Sequence, residues 1–152
     1  MGYKTVSILL FSVVLVLGGW SSSAQGICVN VRKANLRMGP SAKRDKSWEV
    51  ARYMPFKQLK NTGTWVQVQD LDGDIHWIHS KFVTDKFFCA VIKVRRANLR
   101  TGPGASYPIH AKYPKAEKYE SFRVIKQSKG WSQLTDDYGD KFWVHRGLIW
   151  VH

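Results

Sequence analysis

From Ile27 onward apolar and polar residues alternate in short runs, and no stretch beyond Gln25 sustains a helical period. Residues 27–36, 49–53, 56–61, 65–70 and 75–79 read as strands, with a further short piece at Phe82 and Val83. Turn residues separate these runs. Gly39-Pro40 closes the first, because glycine permits positive φ and proline cannot extend a ladder. Thr62-Gly63 and Asp72-Gly73 mark two hairpin ends. Alternation also assigns faces. Leu36, Val66, Val68 and Ile78 point inward, which sends Asn35, Arg37, Trp65, Gln67, Trp77 and His79 to the outer face. Five short strands joined by tight turns predict an all-β unit, a small closed or partly open barrel.

The same pattern then starts again. Ala-Asn-Leu-Arg-x-Gly-Pro occupies residues 34–40 and 97–103, an offset of 63. Residues 56–65 (FKQLKNTGTW) match 122–131 (FRVIKQSKGW), and Trp77-Ile78-His79 matches Trp143-Val144-His145, both at an offset of 66. The second copy therefore gains a net three residues between Pro103 and Phe122. With Trp48 matched to Tyr107, the loop after Gly-Pro is four residues longer in the first copy, and the second gains seven between Tyr107 and Phe122. Its faces follow the first: Leu99, Ser132, Leu134 and Val144 inward, Asn98, Arg100, Trp131, Gln133, Trp143 and His145 outward. Lys129-Gly130 and Tyr138-Gly139 are its hairpin ends. Repetition on this scale divides the chain into one unit at 25–88 and another at 89–152.

Residues 1–24 read as an export leader. Lys4 gives a positive start, 7–19 form an apolar stretch of 13, and Ser22-Ser23-Ala24 places small residues before Gln25. Such a stretch is short for a membrane span, although a retained anchor is the alternative. Gln25-Gly26-Ile27 before Cys28 does not fit a lipoprotein cleavage box. Each remaining unit of roughly 60 residues is marginally stable alone. Cys28 and Cys89, one ahead of each repeated strand, are the two cysteines; in an oxidising space they form a disulfide, the alternative being two free thiols. A bridge would close a loop of about 60 residues, stabilising by about 4 kcal/mol on the chain-entropy estimate.

Charge narrows the choice of surroundings. The chain carries +13, or +12 once Lys4 is removed with the leader. Residues 25–88 hold 11 basic and 6 acidic side chains, and 89–152 hold 12 and 5, so both units are basic. That balance favours anionic glycans, lipopolysaccharide or lipid headgroups ahead of nucleic acid, or serves solubility alone.

Three features together resemble the bacterial SH3 family: the (A/L)-N-(L/V)-R-x-G-P start, a central Gly-x-Trp, and a closing Gly-x-x-x-Trp-(V/I). The resemblance covers residues 25–152 as a tandem pair and implies two SH3-like barrels. It also implies a non-catalytic, exported binding module, periplasmic or extracellular, that recognises peptidoglycan or a cell-wall-associated peptide. A protein–protein adaptor of the envelope and a charge-driven polyanion binder are the alternatives. One departure stands out: the family usually places Gly before the closing Trp, where this chain has His76 and Phe142. In SH3-like folds the loop after Gly-Pro borders the ligand groove, which makes Trp48, Tyr53, Tyr107 and Tyr113, with Tyr119 nearby, candidate contacts beside Arg37, Arg44, Arg100 and Lys112. Aromatic faces can stack on sugar or grip peptide while the cations pair with carboxylates. Family members accompany cysteine endopeptidases of the wall, but this sequence has no helical domain to host a nucleophile, and no enzyme activity is expected. His76 and His79, three apart on a strand, face opposite ways and do not suggest a metal; no cofactor is expected. Asp70, Asp72, Asp74, Asp136 and Asp137 fall in turns, where aspartate bonds its own backbone.

Overall fold

Every hairpin end marked by the sequence is present: Gly63, Gly73, Gly130 and Gly139 take φ of 58°, 93°, 84° and 85°. The computed structural model describes residues 25–152, so the leader reading of 1–24 lies outside the described residues. The first unit contains β1 (Gly26–Val29), β2 (Lys33–Arg37), β3 (Lys46–Ala51), β4 (Pro55–Thr62), β5 (Trp65–Gln69) and β6 (Ile75–His79). A 3₁₀ turn at Ser80–Phe82 leads into β7 (Val83–Thr84). These strands form one antiparallel sheet ordered β3-β2-β6-β5-β4-β1-β7. The second unit contains β8 (Cys89–Ile92), β9 (Arg96–Asn98), β10 (Lys115–Glu117), β11 (Ser121–Ser128), β12 (Trp131–Thr135) and β13 (Lys141–His145). Another 3₁₀ turn, Arg146–Leu148, precedes β14 (Ile149–Val151). Its larger sheet runs β13-β12-β11-β8-β14, and the β9–β10 ladder joins it through bridges from Arg100 to Ile109 and Trp143. No α-helix occurs among the described residues.

Inward positions meet as predicted. Ile27, Ala34, Leu36, Val50, Phe56, Val66, Val68 and Ile78, drawn from all of β1–β6, pack in one cluster, so the sheet wraps its own inner face. Ala90, Ala97, Leu99, Phe122, Leu134 and Val144 do the same in the second unit. Val91 and Trp150 of the second unit nevertheless pack with the first cluster. Cys28 and Cys89 are bonded, with Cα atoms 6.0 Å apart. The bridge joins β1 to β8 at positions two residues out of step, since Cys89 faces Arg123 as Gly26 faces Lys57.

Four expectations need correction. The run 27–36 is two strands, not one: Asn30 donates its N–H to Phe82 O at 2.9 Å, which breaks the ladder at the corner. Gly39 and Gly102 do not take positive φ. They are small for space, because a Cβ on Gly102 would strike the Tyr107 ring and one on Gly39 would crowd Arg44. The loops after Gly-Pro are equal in length. Arg44 N bonds Ser41 O as Tyr107 N bonds Gly104 O, both at 3.2 Å, so Tyr107 corresponds to Arg44 and not to Trp48. The extra residues lie later, between Ile109 and Pro114. Finally, Trp77 and Trp143 lie opposite the core-facing Ile78 and Val144 yet are only 9% and 7% exposed.

Candidate functional site: a polar cleft on the first unit

The cleft begins with a turn. Asp70, directly after β5, accepts the backbone N–H groups of Asp72 and Asp74 on Oδ1, at 3.0 and 2.8 Å. Asp136 does the same for Tyr138 and Asp140 at 2.9 and 3.0 Å, so this use of aspartate belongs to both units. Only in the first unit does the other carboxylate oxygen face a polar partner. Asp70 Oδ2 lies 3.3 Å from His76 Nε2, and His76 Nδ1 lies 2.8 Å from Ser47 Oγ. Asp70 and His76 are buried. A carboxylate oxygen accepts, so Nε2 donates to Asp70; in the neutral ring Nδ1 is then the acceptor and the Ser47 hydroxyl the donor. Ser47 reaches the ring because it is the extra residue of a β-bulge: Leu36 pairs with Trp48 and Arg37 with Lys46, which leaves Ser47 unopposed.

Aromatic rings form the walls. The Trp48 ring lies 6.4 Å from His76 and meets Tyr119 edge-on at 5.4 Å. Tyr119 comes from the second unit, in the turn after β10, held at φ 74°. Its hydroxyl bonds Asp72, and Lys118 Nζ pairs with the same carboxylate at 2.9 Å. The Tyr119 hydroxyl, and then the Lys118 ammonium, hold the Asp72 carboxyl below its ordinary range. Tyr119 and Asp72 in turn raise Lys118. With Asp74, these side chains apart from Lys118 line a cleft of about 360 Å³. A groove of about 740 Å³ along Phe88, Val124 and Ile125 is larger but holds no comparable bonded set.

The residues singled out from the sequence are dispersed. Trp48 lies in the cleft, on β3 and not in a loop. Arg37 and Arg100 are committed to their own loops, donating to Arg44 O at 2.9 Å and Tyr107 O at 2.8 Å. Tyr107 covers Gly102. Tyr53 stands edge-on to Phe87 at 5.7 Å. Tyr113 stacks on His110 at 6.0 Å, and both rings lean on Phe142, at 6.5 and 6.2 Å. Lys112 Nζ pairs there with Asp140 at 2.7 Å; Asp140 raises the lysine, and the lysine lowers the carboxyl. Ser47, Asp70, Asp72 and Asp74 were not among the sequence candidates. Their one signal was His76, standing where the family pattern has glycine. His79 and His145 instead cap the 3₁₀ turns, accepting from Lys81 N at 3.3 Å and Gly147 N at 3.1 Å. No group of three or more potential metal ligands converges among the described residues.

Comparison with known proteins agrees with the repeat. The Bacterial SH3 domain profile matches residues 30–85 and again 93–151. The chain is 26% identical over 141 residues to YrvJ of Bacillus subtilis, a putative N-acetylmuramoyl-L-alanine amidase, covering 86% of this chain and 27% of that protein. Among solved structures, an NlpC/P60 family protein from Bacillus cereus aligns with a TM-score of 0.39 and 11% identity, covering 84% of this chain and 56% of the other. NlpC2 from Trichomonas vaginalis aligns at 0.36 and 9%, covering 83% and 47%. The chain thus spans about a quarter of the curated relative and about half of these solved chains. With its two matched stretches, the chain belongs to the bacterial SH3 domain family and carries that domain twice.

Proposed function

We propose that this protein is an exported, non-catalytic module that grips peptidoglycan in the periplasm or outside the cell, using the cleft of its first unit. Family membership supports the class of function, and a relative named for the N-acetylmuramoyl-L-alanine bond supports the wall as the setting. The observation that carries the site is the cleft itself, polar at its floor and aromatic at its walls, on a chain whose Arg37 and Arg100 bond within their own loops. Residues 25–152 should co-sediment with purified sacculi at low ionic strength, and Trp48→Ala should reduce the bound fraction severalfold. Protein that stays in the supernatant at low salt discards the wall reading. Soluble muropeptides released by the pure protein would discard the non-catalytic part. The basic charge favours a second reading, polyanion binding, in which retention falls steeply with salt whatever the state of Trp48.

A further inference from the structure

The second unit fills with its own chain the groove that the first leaves open. Backbone pairing fixes the correspondence. Arg37 pairs with Lys46 and Leu36 with Trp48; Arg100 bridges Ile109, and Leu99 N bonds Pro114 O at 3.0 Å. Ser47 alone therefore stands where the second unit has His110, Ala111, Lys112 and Tyr113. In that insert the two rings cover Phe142, the counterpart of His76, and the Lys112 ammonium binds Asp140. Asp140 and Asp74 are the same residue of the hairpin, each giving its backbone N–H to the turn aspartate. Among the described residues Asp74 makes no ion pair and its carboxylate no hydrogen bond, although it lines the cleft. Its neighbours are committed: Asp70 to the turn and His76, Asp72 to Lys118 and Tyr119.

We infer that the first cleft takes, from outside, the group that Lys112 supplies within the second unit: a primary ammonium on a flexible alkyl chain, carried by a peptide. Asp74 receives the ammonium, and the Trp48 and Tyr119 rings receive the alkyl stem. His76 and Ser47 keep the floor polar where the second unit is sealed by Phe142. This assignment rests on the cleft being the ligand site and adds the chemistry of the ligand. The binding unit is then the first one, completed by Tyr119 of the second.

The probe is Ac-Ala-Lys-Ala-NH2, titrated into residues 25–152 and followed by the Trp48 indole N–H and the Asp74 amide in nuclear magnetic resonance spectra. Saturable shifts of both signals are expected, and none with the Nε-acetylated peptide. Asp74→Asn should weaken binding by at least about tenfold, and Asp140→Asn, the counterpart change in the sealed groove, should leave it unchanged. Replacing Ser47 by His-Ala-Lys-Tyr together with His76→Phe should abolish the shifts in a folded protein. Equal shifts from the acetylated peptide, undiminished binding by Asp74→Asn, or no shift with either peptide would overturn the assignment. Lysine-peptide binding without sacculus pelleting would instead remove the wall reading and leave the ammonium site standing. Pelleting that ignores Asp74→Asn would do the reverse.

Discussion

Ser132 is fully buried in the second barrel, and its hydroxyl has no hydrogen-bond partner. The first unit places Val66 at the same position, paired with Ile78 as Ser132 is paired with Val144. A buried, unpartnered hydroxyl costs stability, while an added methyl gains apolar burial. Ser132→Val should therefore raise unfolding stability by about 1 kcal/mol in urea titration; a lower midpoint would mean that the cavity has no room for the methyl. Neighbouring positions show how far single residues could be read. By the sequence, Arg37 and Arg100 are outward cations beside aromatics and look available to a ligand. Each in fact spends its guanidinium on a carbonyl seven residues ahead, a bond that depends on how the loop closes.

At the scale of strands, two bulges explain what alternation missed. β4 and β11 each slip by one residue, at Leu59 and at Ile125. The slip sets Lys60 against Gln67 and Lys126 against Gln133, in the same cross-strand rows as Trp77 and Trp143. Lys60 Nζ then lies 5.6 Å from the Trp77 ring and Lys126 Nζ 5.5 Å from Trp143. These tryptophans are outward yet covered, each beneath a lysine stem. Lys126→Ala should red-shift tryptophan emission and cost between about 0.5 and 1 kcal/mol. An unchanged spectrum would show that other atoms cover the ring. The bulge at Ser47 and the insert at His110–Tyr113 act at the same scale, one opening a groove and the other sealing it.

At the scale of the molecule, the units are fastened as well as linked. Val91 and Trp150 complete the first core, and Arg52 pairs with Asp137 at 3.5 Å while its carbonyl accepts from Ser121 Oγ at 2.8 Å. The disulfide spans 61 residues. Cys28→Ser with Cys89→Ser should lower stability by about 4 kcal/mol on the loop-entropy estimate; a loss under about 1 kcal/mol would show that packing already restrains the unfolded chain. The contact at Asp72 gives a pH signature. Its carboxyl is lowered on folding, so its contribution is full above the ordinary value near ~4 and fades as pH falls through the lowered folded value. Lys118 is raised, so its contribution is full below ~10.4 and fades as pH rises through the raised value. Both side chains stay open to solvent, which screens the pair and keeps the effect small. Asp72→Asn should flatten the acid limb of the stability profile, and an unaltered limb would assign it to other carboxylates.

Local chemistry in the sequence determined the doubled all-β plan, the hairpin ends and the inward faces, because alternation, Asp-Gly turns and repeated motifs each act within a few residues. The meeting of Cys28 with Cys89 was readable too, though only as one of two options. Tertiary structure alone decided the rest. Asp70 and His76 flank one turn, but Ser47 and Tyr119 lie far from them along the chain, and a bulge and the docking of one barrel on the other bring the four together. Whether a groove stays open depends on a few inserted residues folding back over it, and such distances are set by packing in three dimensions, which no linear pattern carries.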